Sequence, residues 1–194
     1  MTAAKACFPL LGESPSIDLV NTRVIKHGQP VDLLPTTAAL YAWRRLQAPG
    51  PLWSWRPDAD DLAALHTLRD TLDTLLRTRI NGGTPPRKAV VAFNRALTGL
   101  MPDAHLAWDA AGPRRVSRRM DRATRRQHLV SRLAHDALAI LTGPDADRLR
   151  QCAHPDCILL FIARHPQRRW CSADVCGNRA RVARHYQQHK DIHA

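Results

Sequence analysis

Two short cysteine pairs in the last fifth of the chain constrain it more than any other feature. Cys152 and Cys157 form one C-x4-C, and Cys171 and Cys176 form a second after thirteen further residues. Two thiolates on one tight turn take two corners of a tetrahedral ion, and a second turn supplies the other two. A spacing of four lies at the loose end of the usual range, so the signal rests on the doubling. Four protein ligands leave no open position for water, so the spacing predicts one structural Zn2+ per chain rather than a catalytic one. The alternatives are a single iron on the same four thiolates, or a three-cysteine site completed by His154 or His165. The fifth cysteine, Cys7, reads as a buried or idle thiol.

The residues around the pairs narrow the reading. Trp170-Cys171-Ser172 leads to Cys176-Gly177-Asn178-Arg179, with Phe161 between the pairs. This resembles the CGNR zinc finger. Proteins with that finger usually carry a helical N-terminal region, the ABATE domain, whose family name points to stress-induced regulation of transcription. Ile17-Asp18-Leu19-Val20-Asn21-Thr22 resembles that domain's opening signature, and Asp32-Leu33-Leu34 its next. Three positions depart from the pattern. Ala163 and His165 stand where many relatives have Asp and Ser, and Arg181 stands where Lys is frequent. The resemblance implies a zinc-binding, DNA-binding transcription regulator whose N-terminal domain senses a small-molecule effector or forms a homodimer.

The finger reads as knuckle, β-hairpin, knuckle and helix, an arrangement that resembles a treble clef. Ile158–Ile162 and Arg168–Trp170 are the predicted strands, and the helix runs from about Gly177 to His189. Gly177 is expected to bring the backbone close to the metal, and Asn178 to bond a knuckle carbonyl or cap the turn. Val175, Arg179, Val182 and Tyr186 share one helical stripe, so Arg179 is expected to lie over the hairpin and bond a knuckle carbonyl. Arg181 and Arg184 fall on the other side, where they can meet phosphate or a base edge.

Ahead of the finger the chain is mainly α. Thr36 or Thr37 caps a predicted helix from Ala38 to about Leu46, with Leu40, Trp43 and Leu46 on one face. Asp58 to Asp61 open the clearest helix, whose Leu62, Leu65, Leu68, Leu72, Leu75 and Leu76 recur at three- and four-residue steps. Asn81-Gly82-Gly83 stops it. Pro85-Pro86 starts the next, with Val90, Val91, Phe93, Ala96, Leu97 and Leu100 predicted inward. A small β-hairpin is expected between His105 and Arg118, and a last long helix over about Thr124–Leu141. The predicted division is a helical domain over 1–147 and the finger over 148–194, with the finger docked on that last helix. Asp18, Asn21 and Thr22 read as capping or turn chemistry, with a polar effector pocket lined by Asp18, Asn21 and Trp43 as the functional alternative.

Charge separates the two halves. The net charge is +12, yet residues 1–112 hold 12 Lys/Arg against 10 Asp/Glu, and residues 113–194 hold 17 against 7. An anionic partner would therefore be met by the C-terminal half. Arg114, Arg115, Arg118, Arg119, Arg122, Arg125 and Arg126 form the densest run, and the first four are the predicted phosphate contacts. An adaptor that binds protein partners is the second reading. An enzyme with a pocket in the helical domain is the third, and the sequence holds no nucleophile elbow, phosphate loop, open metal triad or carboxylate pair to support it. No stretch approaches the roughly 18 to 20 apolar residues of a membrane span, and no signal peptide precedes the first charges. The expected address is the cytoplasm, at the nucleoid if DNA is bound.

Overall fold

The computed structural model describes residues 8–47, 55–98, 104–109, 112–117 and 122–190, with 104–109, 112–117, 122, 184 and 187–190 described by their backbone. The chain begins with a short helix, α1 (Pro15–Val20), opened by a proline at its first position. Ser16, Ile17, Asp18, Leu19 and Val20 are all buried, because α1 is wedged between two of the long helices described below. A tight hairpin follows: β1 (Arg23–Lys26) and β2 (Gln29–Asp32), with Val24 opposite Val31 and Lys26 opposite Gln29. Its two turn residues, His27 and Gly28, both have positive φ, 51° and 74°. That is the conformation whose twist matches a two-residue hairpin. This hairpin was not among the predicted elements.

Helix α2 (Thr37–Leu46) starts where predicted, with the Thr36 hydroxyl accepting from the Ala39 N–H. Leu40 and Trp43 are buried, but Leu46 is 53% exposed and does not share their contact. Helix α3 (Ala59–Ile80) begins with a capping box. Asp58 accepts from the Asp61 N–H, and the Asp61 carboxylate accepts from the Asp58 N–H. Leu65, Leu68, Leu72, Leu75 and Leu76 form its buried stripe. Helix α4 (Arg87–Leu97) turns back along it. Ala89 and Phe93 point inward, and Ala96 and Leu97 are partly covered. Val90 and Val91 are exposed, contrary to the predicted pattern, because only one narrow stripe of this helix meets α3 and α5. Leu100 lies outside the described residues.

Strands β3 (Ala104–Asp109) and β4 (Gly112–Ser117) pair antiparallel, with Asp109 opposite Gly112. The predicted hairpin is present, and Gly112 and Pro113 are already in its ladder. Helix α5 (Arg122–Thr142) buries Leu129, Leu133, Ala137 and Ile140 against α3, α4 and α1. A 3-10 turn, Ala146–Arg148, leads into β5 (Leu149–Gln151), which pairs with β6 (Leu160–Ile162). A one-turn π-helical segment, Ala173–Gly177, then opens α6 (Asn178–Lys190).

The finger's hairpin differs from the predicted one. β6 pairs with β5 rather than with Arg168–Trp170, so the first knuckle is itself the hairpin's loop. In the docking of the finger, β5 lies against α3, β6 against α1, and the turn Ala146–Arg148 that leads into β5 against α5. Leu149, Leu160 and Ile162 belong to the same buried cluster as Ile17, Leu72 and Leu133. The finger therefore supplies three side chains to the core of the helical part.

Candidate metal centre

Four sulfurs meet beneath the finger's hairpin. The Sγ atoms of Cys152, Cys157, Cys171 and Cys176 all lie within 4.8 Å of one another, and all four residues are buried. Sγ of Cys171 is 3.8 Å from that of Cys157 and 3.6 Å from that of Cys176. Tetrahedral zinc with Zn–S bonds of about 2.3 Å separates its sulfurs by roughly 3.8 Å. The cluster is thus positioned to hold one zinc ion, as the cysteine spacing predicts. His154 and His165, the rival ligands, are used otherwise. Nδ1 of each accepts from the backbone two residues on, from Asp156 and Gln167.

The electrostatics of the cluster call for a cation. Hydrogen bonds from the Cys157 and Cys171 thiols hold Cys152 far below the ordinary thiol range, aided by backbone N–H groups. The hydrogen bond to Cys152 in turn pushes Cys157 up to about 12, and those to Cys152 and Cys157 raise Cys171 as well. Four sulfurs this close cannot all ionise by themselves. A divalent ion removes the conflict and lets all four bind as thiolates.

Local chemistry fixes each knuckle. The Cys152 N–H bonds the Leu159 carbonyl at 2.9 Å, and the Cys157 N–H bonds the His154 carbonyl at 3.0 Å, closing the first turn. Ser172 caps the second, accepting from the Val175 N–H. Gly177 is needed for space of another kind than predicted. A Cβ there would sit 3.3 Å from Cδ1 of Trp170, so the glycine admits the indole rather than the metal.

The arginine that ties the knuckles together is Arg168, which the sequence reading took only as a strand residue. Its guanidinium donates to the carbonyls of Ile162, Trp170 and Cys171, the last at 2.6 Å. It also stacks over Phe161 at 4.4 Å and pairs with Glu13. Arg179 does not take that role. It is exposed, with no hydrogen bond or ion pair among the described residues, and the stripe it shares with Val175, Val182 and Tyr186 is exposed too. Asn178 is exposed at the start of α6 and follows the cap made by Ser172.

Polar side chains from the helical part grip the finger's backbone. The Asn21 amide accepts from the Leu160 N–H at 2.8 Å and donates to the Leu160 carbonyl at 2.9 Å. Glu13 accepts from the Ile162 N–H. Arg77, held by Asp73, reaches the Ile158 carbonyl and the Gln151 side chain, and Arg79 pairs with Asp147. Of the three residues of the expected effector pocket, Asp18, Asn21 and Trp43, Asn21 is spent on Leu160, and all three are buried. Asp18 is shifted strongly. Burial lifts its pKa to about 7, Gln47 pulls it down, and Glu13 and Asp136 push it further up. The second signature, Asp32-Leu33-Leu34, has a similar purpose. Asp32 accepts from the Leu34 N–H and from both terminal nitrogens of buried Arg69, which also donates to Thr22.

The predicted nucleic-acid contacts divide. Arg181 is exposed on α6. Arg184 is placed on the same helix, and Arg114 and Arg115 are placed on β4, by backbone. Arg118 and Arg119 lie outside the described residues, as does Cys7. Two members of the wider arginine run are already engaged. Arg126 pairs with Asp58, Asp60 and Asp61, and Arg125 lies 5.7 Å from the Trp55 ring.

The ABATE model, described as "Putative stress-induced transcription regulator", matches residues 13–144, and the CGNR zinc finger model matches residues 148–189. No curated protein matches the chain. Neither matched family is an enzyme family. No described helix is long and apolar enough to cross a membrane.

Proposed function

Because the chain belongs to the ABATE family and carries a CGNR zinc finger, we propose that it is a transcription regulator that binds duplex DNA through its basic C-terminal half, in the cytoplasm at the nucleoid. The observation that carries this reading is the placement of α6. Its first turn is anchored by Cys171, Ser172 and Cys176, it packs on the turn that precedes it, and it leaves Arg179 and Arg181 exposed. A helix held rigidly at one end and free along its length can enter a major groove. The charge excess of residues 113–194 supplies the phosphate attraction that any duplex satisfies. The helical part would then set the oligomeric state or receive an effector. One core crosses residues 147 and 148, so the division there is a boundary of function and not of folding.

A second reading has an observation of its own. Val182 and Tyr186 on α6 are 46% and 72% exposed, as a protein-binding adaptor would need. The two readings separate in one experiment. The zinc-loaded chain is used to select duplex fragments from a random pool, and binding to a selected and a scrambled duplex is followed over several salt concentrations. Arg181→Ala should cost about 1–3 kcal/mol on the selected duplex and less on the scrambled one. Equal loss on both would make Arg181 a phosphate contact. No selection and no salt dependence would favour the adaptor.

A further inference from the structure

A hollow of about 440 Å³ lies within the finger, between the first knuckle and α6. His154 and Pro155 line it from the knuckle, Ala180 and Ala183 from α6, and Arg169 and Trp170 from the segment that enters the second knuckle. Short contacts tie these parts together. The Arg169 carbonyl accepts from the Ala153 N–H at 2.9 Å, and its guanidinium lies 5.5 Å from the Trp170 ring. Trp170 in turn packs on the cysteine cluster. The charges are of one sign. Arg169 is exposed and has no ion pair or side-chain hydrogen bond among the described residues. His154 uses Nδ1 to accept from the Asp156 N–H at 3.1 Å, which puts the proton of the neutral ring on Nε2 as a donor. No carboxylate is among the residues that line the hollow. Asp156, the nearest acid in the sequence, lines a separate groove with Val175 and Arg179. A zinc ion on four thiolates carries −2, and none of the four cysteines lines the hollow either. With that −2 counted, residues 148–194, which hold 9 Lys/Arg against 3 Asp/Glu, keep a balance of +4.

We propose that this hollow receives one backbone phosphate of duplex DNA, with the Arg169 guanidinium and Nε2 of His154 as the donors. A guanidinium is a planar fork that matches two phosphate oxygens, and the indole beside it favours the cation and restricts where the fork can point. The side chains of Pro155, Ala180 and Ala183 offer a base edge neither donor nor acceptor, so the contact reads the backbone and not the sequence. The two alanines, one helical turn apart, keep the hollow open where longer side chains would fill it. Neither Arg169 nor His154 was among the predicted nucleic-acid contacts. The proposal rests on the DNA-binding reading and adds to it what positions α6, since a phosphate fixed between the knuckle and that helix sets the register in which Arg181 meets the duplex.

The full zinc-loaded chain is titrated with the selected and the scrambled duplex over several salt concentrations. Arg169→Ala should weaken both duplexes equally, by severalfold, and lower the slope of log affinity against log salt by about one. Arg169→Lys should keep the slope and lose part of the affinity, because it keeps the charge without the fork. Ala183→Glu, at an exposed position of α6, should weaken both duplexes more than Arg169→Ala does, with zinc content and helical circular dichroism as in the native chain. Arg164→Ala removes the same charge from an exposed position outside the hollow and should cost less. Replacing single phosphates of the selected duplex by neutral methylphosphonates should find one position that weakens the native chain and leaves Arg169→Ala unaffected. A native chain that binds no duplex would overturn the DNA reading and this site with it. A native chain that binds, with Arg169→Ala equal to it in affinity and slope, would overturn the site alone. So would an Arg164→Ala loss as large as that of Arg169→Ala, or the lack of any phosphate coupled to Arg169. An Arg169 dependence seen on single-stranded RNA of equal length but not on the duplex would give the site to RNA and overturn its assignment to DNA.

Discussion

Asn21 and Asp18 sit three residues apart and face opposite demands. Asn21 completes two hydrogen bonds to Leu160, its amide matching both the donor and the acceptor of that residue. Asn21→Ala should cost about 2–4 kcal/mol in urea unfolding, since it strips one partner each from a buried N–H and a buried carbonyl. A cost under about 0.5 kcal/mol would mean that the strand is held by other contacts. Asp18 instead carries a liability. Its folded pKa of about 7 lies above the ordinary 3.8, and Oδ1 has no hydrogen-bond partner among the described residues. A raised carboxyl favours the folded state only while protonated. Its contribution is full below about pH 4 and is lost as pH rises through 7. Asp18→Asn should therefore stabilise the chain by about 1 kcal/mol at pH 8, allowing for partial solvation, and by much less at pH 4. Equal effects at both pH values would contradict the shift. Asp32 works in the opposite sense. Burial raises its pKa, but the bonds from Arg69 and Leu34 outweigh that and leave it lowered, so its contribution fades only as pH falls below about 4. Both residues were legible as signature positions, but which carboxylate meets a buried arginine is a long-range fact that spacing does not carry.

At the scale of elements, the long helices were readable because their stripes are long and their ends are marked. α3 shows both, with the Asp58–Asp61 box at one end and Asn81-Gly82 at the other. The β1–β2 hairpin was missed for physical reasons. Its strands are four residues each, Pro30 stands in the ladder, and the turn is His27-Gly28 rather than Asn-Gly. A non-glycine residue at φ 51° is strained, and asparagine tolerates that region better. His27→Asn is expected to stabilise the chain by about 0.5 kcal/mol, read as a higher melting temperature. A lower one would show that the imidazole makes a compensating contact. The finger's strands were mispaired in the reading because Arg168–Trp170 looks as extended as Leu149–Gln151. What decides between them is burial, since Leu149 has the helical core to enter. The same reason exchanged Arg179 for Arg168. Helical periodicity put Arg179 on an apolar stripe, but Val175 and Arg179 of that stripe line an open groove and Val182 and Tyr186 are exposed, whereas Arg168 lies over Phe161 among the knuckle carbonyls.

Across the whole molecule, the sequence separates a helical part from a metal part more sharply than the structure does. The four ligands, the family resemblance and the charge asymmetry were legible because each is a local pattern of residue types. The shared core was not, since it depends on Leu149, Leu160 and Ile162 meeting Ile17 and Leu72 across more than seventy residues of chain. If the metal centre holds the finger and the finger completes the core, metal loss must reach the helices. The most direct test is thermal unfolding followed at once by helical circular dichroism and by a dye that reports free zinc. The account predicts one zinc per chain, released in the same cooperative transition as the loss of helix, and a large drop in that transition's temperature when a strong chelator is present. Zinc that leaves well below the helical transition, or a helical melting temperature that the chelator does not move, would contradict it.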